Sequence, residues 1–228
     1  MRTVSIDSLA RRFITSCLNN SCQIISLGAG FDTRLFRLLD EFDHKLAELT
    51  YFEIDFEQVI REKQRIVENS PKLSGISANW RPVSLDLNSP QLNLSTALGT
   101  DFNPEKPTLI IAECCLMYFT SVSGDNLISW AASTCKSVYF CSFDPILAEN
   151  LESDPFARTM LDNFEDRGLD TASLLKYPTR ESVKNRFSSL FSSVESFTML
   201  QLEQDESAEH LVSKEERRKL AIMAALDE

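Results

Sequence analysis

One short segment, TLIIA at residues 108–112, constrains the fold of this chain more than any other. Its residues are apolar after the opening threonine, and the run ends at a single acid, Glu113. A strand buried on both faces has this uninterrupted pattern, and such strands lie inside parallel sheets that helices cover. The sequence therefore predicts a central parallel strand here. Other apolar runs predict strands at residues 23–27, 50–54, 81–85, 137–143 and 193–200.

Helical segments separate the predicted strands. They are expected at residues 5–18, 33–39, 56–68, 92–98, 124–134, 154–165, 179–187 and 214–226. Strands that alternate with helices favour an α/β, Rossmann-like fold, in which a mostly parallel sheet has helices on both faces. A chain of 228 residues, 43% of them hydrophobic, suits a single domain. We expect an N-terminal helix within 1–20, a ligand-binding core at 21–150 and a helical C-terminal part at 151–228.

A glycine loop, Gly28-Ala29-Gly30, directly follows the first predicted strand. Glycine lets the backbone turn sharply and lets a ligand approach it closely. The second predicted strand ends at Asp55, where an acid in this class of fold accepts hydrogen bonds from ribose hydroxyls. The loop and the acid together indicate a cofactor that carries adenosine.

Asp32 bears on which adenosyl cofactor the loop accepts. A dinucleotide places its pyrophosphate at the N-terminus of the helix after the loop, and a carboxylate there would repel it. The same carboxylate would favour an ammonium and a sulfonium, so S-adenosylmethionine is a better prediction than NAD. Three alternatives stay open: Gly28 and Gly30 as an ordinary turn, Asp32 as a helix N-cap, and Glu53 as an exposed strand residue.

Four more side chains after predicted strands extend the candidate site. Asp86 and Leu87 suit an adenine ring, with the acid on the exocyclic amine and the leucine against the ring, although aspartate also begins turns. Glu113 follows a buried strand, where a charge needs either a function or a partner such as an arginine. Tyr118 is a catalytic candidate in the same cleft, with a structural tyrosine as the alternative.

Composition narrows the classes of function. A formal net charge of −11 disfavours nucleic acid as a partner. No apolar run is long enough to span a bilayer, and the first residues lack the apolar core of a signal peptide, so we expect a cytoplasmic protein. Six cysteines without a Cys-x-x-Cys pair, and two histidines, do not favour a metal site. Cys114 and Cys115 have no histidine near them in sequence, which favours packing over a nucleophile.

Four segments carry a resemblance to a known family: QIISLGAGFDT at 23–33, YFEIDF at 51–56, LIIAEC at 109–114 and SFDP at 142–145. They resemble the leucine carboxyl methyltransferases, and the similarity runs from Arg2 to the last predicted helix. It implies the class I S-adenosylmethionine-dependent methyltransferase fold, with S-adenosylhomocysteine as the product. It also implies a monomer that methylates the C-terminal leucine carboxylate of the protein phosphatase 2A catalytic subunit.

The resemblance further implies cofactor contacts at matching positions. They are Gly28, Asp55, Asp86, Leu87, Glu113 and Arg2, the last of which would reach the methionine carboxylate from the N-terminal helix. The family's N-terminal arm and final antiparallel strand have no counterpart in this sequence, so we expect the sheet to lack that strand. A tRNA wybutosine-type carboxyl methyltransferase, or a cofactor-binding or phosphatase-binding protein without activity, is the alternative.

Overall fold

The structure, a computed structural model of the chain, describes residues 1–17, 21–42, 46–74, 79–90, 92–147, 154–209 and 211–217. The strands among these residues are β1 (Cys22–Leu27), β2 (Leu49–Asp55), β3 (Trp80–Ser84), β4 (Thr108–Glu113) and β5 (Val138–Phe143). They form one sheet in the order β3-β2-β1-β4-β5, and every neighbouring pair is parallel. The predicted α/β fold is confirmed, and the apolar run that predicted a central strand lies inside the sheet.

The inner strands are buried on both faces, which explains their uninterrupted apolar sequences. β1 is buried at all of its six positions, and β4 is buried at every position before Glu113. Ile24 of β1 lies opposite Tyr51 of β2 and Leu109 of β4. Their side chains point to one face of the sheet, and those of the next residue in each strand point to the other. The edge strands β3 and β5 are only partly buried, so their sequence pattern is weaker.

Helices cover both faces of the sheet. Those among the described residues are α1 (Arg2–Ser16), α2 (Arg34–Glu41), α3 (Glu57–Glu68), α4 (Pro71–Ser74), α5 (Leu94–Leu98), α6 (Ser121–Thr134), α7 (Pro155–Asp166), α8 (Ala172–Lys176), α9 (Arg180–Ser188) and α10 (Met199–Gln204). The first three pack on the face of Ile24, and α5, α6 and α9 pack on the face of Ile25. Within the described ranges, no helix has the length and apolar character needed to cross a membrane.

The strand predicted at 193–200 is wrong. Residues 193–198 have no regular structure, and α10 begins at Met199. Thr198 starts this helix because its side chain accepts the Gln201 N–H while the Gln201 side chain accepts the Thr198 N–H, an arrangement that satisfies two free backbone donors. Val194 packs against the apolar cluster beneath α6 and α9 instead of pairing in the sheet. Of the helix predicted at 214–226, residues 214–217 are helical and the remainder lies outside the described residues.

Candidate functional site

The carboxyl ends of the parallel strands meet at one edge of the sheet, where ligands bind in this class of fold. In sheet order, this edge carries Asp86, Asp55, the 28–30 loop, Glu113 and Asp144. Neighbouring strands lie about 4.8 Å apart, so the ends of β3 and β4 are about 14 Å from each other. Polar residues that follow separate strands in the sequence are thus brought into a single row.

The 28–30 loop presents bare backbone to this edge. Gly28 has φ +59° and Gly30 has φ +51°, a left-handed conformation that favours glycine. A Cβ on Gly28 would lie 2.8 Å from Cys115 Sγ, so no side chain fits there, whereas a Cβ on Gly30 would meet no atom within 4 Å. Gly28 is exposed, although the strand before it is buried throughout. The loop therefore packs on one side and is open to a ligand on the other.

Asp55 joins the end of β2 to the glycine loop. Its Oδ2 accepts the Gly30 N–H at 2.8 Å, and its Oδ1 accepts the Phe56 N–H at 2.7 Å. An ionised carboxylate has about four acceptor positions, so about two remain for other donors. Because Asp55 is only partly buried, these positions are within reach of a ligand. Its contact with a ribose stays a prediction for which the geometry leaves room.

Arg2 and Glu113, far apart in the sequence, meet at the end of β4. Arg2 Nε lies 2.7 Å from Glu113 Oε1, and Arg2 Nη1 donates to Cys114 Sγ at 3.5 Å. The Arg2 guanidinium also lies 5.7 Å from the ring centroid of Phe143 in β5. The side chain of Arg2 is 48% exposed and that of Glu113 is 20% exposed. Glu113 thus has the arginine partner that its burial demands and still reaches solvent.

A second arginine, Arg34 of α2, holds the other oxygen of Glu113. Its Nη2 lies 2.8 Å from Glu113 Oε2, its Nε lies 2.8 Å from Asp7 Oδ1, and its Nη1 pairs with Asp32 Oδ2. The side chain is 2% exposed. Burial by itself would lower the pKa of Arg34, but the surrounding Tyr51 and carboxylates outweigh burial and raise it. Arg34 is a site residue that the sequence analysis missed.

A charged residue on an otherwise apolar helix face is the sequence pattern that could have indicated this network. Asp7 shares one face of α1 with Ala10 and Ile14, at spacings of three and seven residues. All three side chains are buried. Because a buried charge needs a partner, Asp7 indicates that a cation packs against this face. The sequence does not indicate which cation, since Arg34 and Asp7 lie on different helices.

The N-cap residue of α2 is Thr33 rather than Asp32, but Asp32 bonds to the start of this helix from the preceding position. Its Oδ1 accepts the backbone N–H of Arg34 at 2.9 Å, at the start of α2, and its Oδ2 pairs with the Arg34 guanidinium. The charge of Asp32 is therefore neutralised within the fold. The repulsion of a pyrophosphate, on which the preference for S-adenosylmethionine over NAD depended, is weakened accordingly. The preference for S-adenosylmethionine over NAD therefore depends on the other residues in this row.

Glu53 is buried, which corrects its interpretation as an exposed strand residue. Its side chain is 1% exposed and lies 2.6 Å from Lys63 of α3, and it accepts the indole N–H of Trp80 at 2.8 Å. Lys63 also donates to the carbonyl oxygen of Asp32 at 2.6 Å. Burial raises the pKa of the Glu53 carboxyl, and Lys63 opposes that rise. A strand glutamate faces the core here because a helix supplies a buried cation.

Asn88 fastens the loop after β3 to the segment after β4. Its Nδ2 donates to the Tyr118 carbonyl at 3.0 Å, and its Oδ1 accepts the Thr120 N–H at 3.0 Å. Asp86 is exposed and accepts the Asn88 N–H at 2.9 Å. Leu87 is buried in the core on the Ile25 face of the sheet. The adenine contacts of Asp86 and Leu87 stay predictions, with Asp86 the more accessible of the two.

Tyr118 lies partly exposed beside this loop. Its ring centroid is 5.9 Å from that of Phe164 in α7. Burial, together with nearby Cys114 and Asp144, raises the pKa of the Tyr118 phenol, which is therefore a neutral hydrogen-bonding group at physiological pH. Its catalytic role stays a prediction. Burial also raises the pKa of the Cys114 and Cys115 thiols, which favours packing for both.

A cavity of about 250 Å³ lies beside the end of β5. Phe143 and Asp144 are in its wall. Asp144 Oδ1 accepts the backbone N–H of Cys115 at 3.0 Å and that of Met117 at 3.2 Å, and burial raises the pKa of the Asp144 carboxyl to about 7. Because Arg2 packs on Phe143, the cavity adjoins the Arg2 end of the row.

Proteins similar to this chain are named for methyl transfer and for tRNA modification. The "Leucine carboxyl methyltransferase" family model matches residues 1–132, more than half of the chain. Leucine carboxyl methyltransferase 1 of Rattus norvegicus is 30% identical over 205 residues, and the match covers 81% of this chain and 59% of that protein. The protein of the same name from Yarrowia lipolytica is 29% identical over 239 residues, and the match covers 100% of this chain and 71% of that protein. The tRNA wybutosine-synthesizing protein 4 of Homo sapiens is 30% identical over 182 residues, and the match covers 72% of this chain and 26% of that protein.

Solved structures share the fold at much lower identity. A candidate methyltransferase from Thermobifida fusca aligns with a TM-score of 0.55 at 16% identity, over 82% of this chain and 64% of that one. LepI in complex with S-adenosylmethionine aligns with a TM-score of 0.50 at 11% identity, over 79% and 40%. These similarities show the fold of S-adenosylmethionine-dependent methyltransferases. The family match and the rat relative, 59% of whose length the chain spans, show more: the chain belongs to the leucine carboxyl methyltransferase family.

Proposed function

We propose that this chain binds S-adenosylmethionine and transfers its methyl group to the C-terminal leucine carboxylate of the protein phosphatase 2A catalytic subunit. The observation that carries the proposal is the order of side chains along the carboxyl edge of the sheet. Family membership and the names of the relatives at about 30% identity support the reaction class.

The order of the row matches the order of groups in S-adenosylmethionine. That molecule has adenine at one end, then ribose, then a sulfonium, and an amino acid at the other end. The sheet edge carries Asp86 after β3, Asp55 at the end of β2, the glycine loop after β1, and Glu113 with Arg2 at the end of β4. In the proposed complex acids would thus face the adenine amine and the ribose hydroxyls, while the last pair offers one charge of each sign. Glu113 suits the ammonium and Arg2 suits the carboxylate.

Three features of the row fit this cofactor. Open space beside Gly30 gives a ligand access to the loop. Asp55 retains about two acceptor positions for the ribose hydroxyls. Arg2 and Glu113 are paired with each other and accessible to solvent. Each can therefore bind a charged group of the ligand without a buried residue having to become exposed. An adenosyl amino acid needs all three features at once.

The residues of this chain have to hold and orient the reactants rather than move a proton. When bound, S-adenosylmethionine would supply a methyl group on a positively charged sulfur, and its transfer to a carboxylate oxygen would leave S-adenosylhomocysteine. A C-terminal carboxyl has a pKa of about 3.5, so the nucleophile is ionised at neutral pH and needs no general base. Alignment and the exclusion of water supply the catalysis.

The cavity beside β5 supports an apolar residue next to the accepting carboxylate. Its wall includes Leu116, Phe143 and Leu174, and its volume of about 250 Å³ admits a leucine side chain. Because Phe143 also contacts Arg2, this cavity adjoins the end of the row where the methionine part of the cofactor would lie. A leucine in the cavity would place its own carboxylate near the methyl group.

A transfer assay with radiolabelled S-adenosylmethionine tests the proposal. We expect label on the phosphatase 2A catalytic subunit and none on a subunit that lacks its C-terminal leucine. Asp55→Ala should abolish the label, whereas Glu57→Ala, which removes an exposed pair with Arg61 on α3, should not. Cofactor binding without any label on the phosphatase would contradict the proposed substrate and leave the inactive binding protein as the interpretation.

A tRNA carboxyl methyltransferase is the second candidate, because the human wybutosine-synthesizing protein matches 72% of this chain at 30% identity. The formal net charge of −11 argues against it, since a tRNA substrate needs basic surface to offset its phosphates. The same assay with tRNA as the acceptor separates the two candidates. Label on tRNA and not on the phosphatase would favour the second.

A further inference from the structure

Arg34 is the most buried member of an ion network that ends at the accessible pair Arg2–Glu113. Within the part of the chain that the structure describes, three arginines and three carboxylates take part, and their formal charges balance: Arg2, Arg34 and Arg37 with Asp7, Asp32 and Glu113. Of these three arginines, Arg34 alone contacts all three carboxylates and alone is buried. Arg37, one turn further along α2, contacts Asp7 and Asp32 but not Glu113.

We propose that Arg34 is a positioning residue that fixes both Glu113 and Arg2 for the amino-acid end of the cofactor. The inference rests on the proposed function, because it assigns a task to the network at the methionine end of the row. Arg34 itself is sealed from solvent and would not touch the ligand.

The position of Glu113 follows from the two oxygens of its carboxylate. Oε2 lies 2.8 Å from Arg34 Nη2, and Oε1 lies 2.7 Å from Arg2 Nε. Because Oε2 is held by a guanidinium that is 2% exposed, rotation of the carboxylate is restricted, and Oε1 is left to the more accessible Arg2. A guanidinium can hold Glu113 while its other nitrogens hold Asp7 and Asp32, whereas a lysine has one nitrogen for all three.

The position of Arg2 follows from helix α1. Arg2 begins this helix, and Asp7 lies on the same helix just over one turn later. Asp7 Oδ1 accepts from Arg34 Nε at 2.8 Å. Arg34 therefore ties α1, and with it Arg2, to the loop before α2 and to the end of β4. One buried side chain sets the geometry of the acid and of the base that would meet the ammonium and the carboxylate.

A role in stability alone is the competing interpretation, since removing one member of a buried ion network leaves unpaired charges. Two ligands distinguish the interpretations. S-adenosylhomocysteine and 5′-methylthioadenosine share the adenosine and the sulfur, but 5′-methylthioadenosine lacks the amino-acid end. A positioning defect at Glu113 and Arg2 weakens the binding of S-adenosylhomocysteine but not that of 5′-methylthioadenosine. A general loss of structure weakens the binding of both.

The experiment is calorimetric titration of the full chain with each ligand, for wild type, Arg34→Lys and the matched control Arg37→Lys. For Arg34→Lys we expect about tenfold weaker S-adenosylhomocysteine binding, the size of one lost hydrogen bond to a charged group. We expect its 5′-methylthioadenosine affinity to change by less than about twofold. For Arg37→Lys both affinities should stay within about twofold of wild type.

Equal loss of both ligands in Arg34→Lys, or loss of neither, would overturn the positioning role. If Arg34→Lys does not fold, Asp7→Asn replaces it, because that change loosens Arg34 from α1 while keeping the side-chain shape. Asp7→Asn should then weaken S-adenosylhomocysteine alone, and an equal effect on both ligands would overturn the inference. Wild type that binds neither ligand would instead show that the proposed function is wrong.

Discussion

Two buried cation–carboxylate groups contact Asp32, and they differ in whether they extend to solvent. Arg34 pairs with the Asp32 side chain and leads to Glu113, whose side chain is 20% exposed. Lys63 donates to the Asp32 carbonyl and pairs with Glu53, and both side chains of that pair are sealed, at 4% and 1% exposure. A buried charge by itself therefore does not identify a functional site. The group with one end open to solvent is the one that can act on a ligand.

The sealed pair should dominate stability. Lys63→Met leaves Glu53 buried without a cation, so we expect the free energy of unfolding to fall by about 3–5 kcal/mol in urea denaturation. The double variant Glu53→Gln/Lys63→Met should regain most of this loss, because it leaves no charge unpaired and the glutamine can still accept from Trp80. The ratio of affinities for S-adenosylhomocysteine and 5′-methylthioadenosine should not change. A single variant as stable as wild type would contradict the assigned importance of this pair.

Substitution of Asp55 should weaken the binding of both adenosyl ligands equally, in contrast to substitution of Arg34. Asp55→Ala removes the acceptor of two predicted ribose hydrogen bonds, which at 1.5–3 kcal/mol each corresponds to a loss of affinity of about 100-fold or more. Calorimetry should show this loss for S-adenosylhomocysteine and for 5′-methylthioadenosine. Glu57→Ala, two residues further along the chain, is the control and should bind both normally. Unchanged affinity in Asp55→Ala would refute the ribose assignment.

Asp144 is a third acid withdrawn from solvent, although only partly buried, and among the described residues it bonds to backbone N–H groups rather than to a cation. Burial raises its pKa from 3.8 to about 7, so the folded chain binds this proton more tightly than the unfolded chain. The stability it contributes is present in full below about pH 4 and is lost as the pH rises through about 7.

Asp144→Asn removes this titration and can still accept the two N–H groups. We expect the variant to be more stable than wild type at pH 8 by on the order of 2 kcal/mol, with the difference shrinking toward pH 4. Thermal unfolding at several pH values measures it. A difference that is constant with pH, or that grows toward acid, would contradict the raised pKa.

Alanine substitutions at the two glycines of the loop should distinguish a role in packing from a role in ligand access. Each alanine substitution forces a left-handed backbone, but only Gly28→Ala also meets Cys115 Sγ. Gly28→Ala should therefore be less stable than Gly30→Ala, by about 1 kcal/mol. Gly30→Ala should retain more stability while losing affinity for adenosyl ligands, because its new side chain enters the open space beside the loop. Equal stability of the two variants would contradict the packing at Gly28.

Local patterns were enough to predict the five strands of the sheet, but not the short helices α4, α8 and α10. The apolar run at 108–112, the loop at 28–30 and the acids after each strand placed the sheet and the row at its edge. They failed at 193–200, where a capping box at Thr198 overrode an extended pattern. Apolar residues with β propensity do not form a strand unless a neighbouring strand is available to pair with them.

Contacts between side chains of different elements could not be predicted in this way. Arg34, Asp7 and Glu113 lie on α2, α1 and β4, and nothing in the order of residues states that they converge. Glu53 was misjudged for the same reason, since its partner Lys63 is on a helix. What the sequence does show is a charge on a buried face, and such charges identify where a partner is required.

In the proposed complex the row has a direction, with the amino-acid end of the cofactor at Glu113. Glu113→Gln keeps the shape of the side chain and removes its charge, so it isolates that end. Paired calorimetric titrations should show about tenfold or greater weakening of S-adenosylhomocysteine and less than about twofold change for 5′-methylthioadenosine. Equal weakening of binding for the two ligands, or of neither, would contradict this orientation of the cofactor.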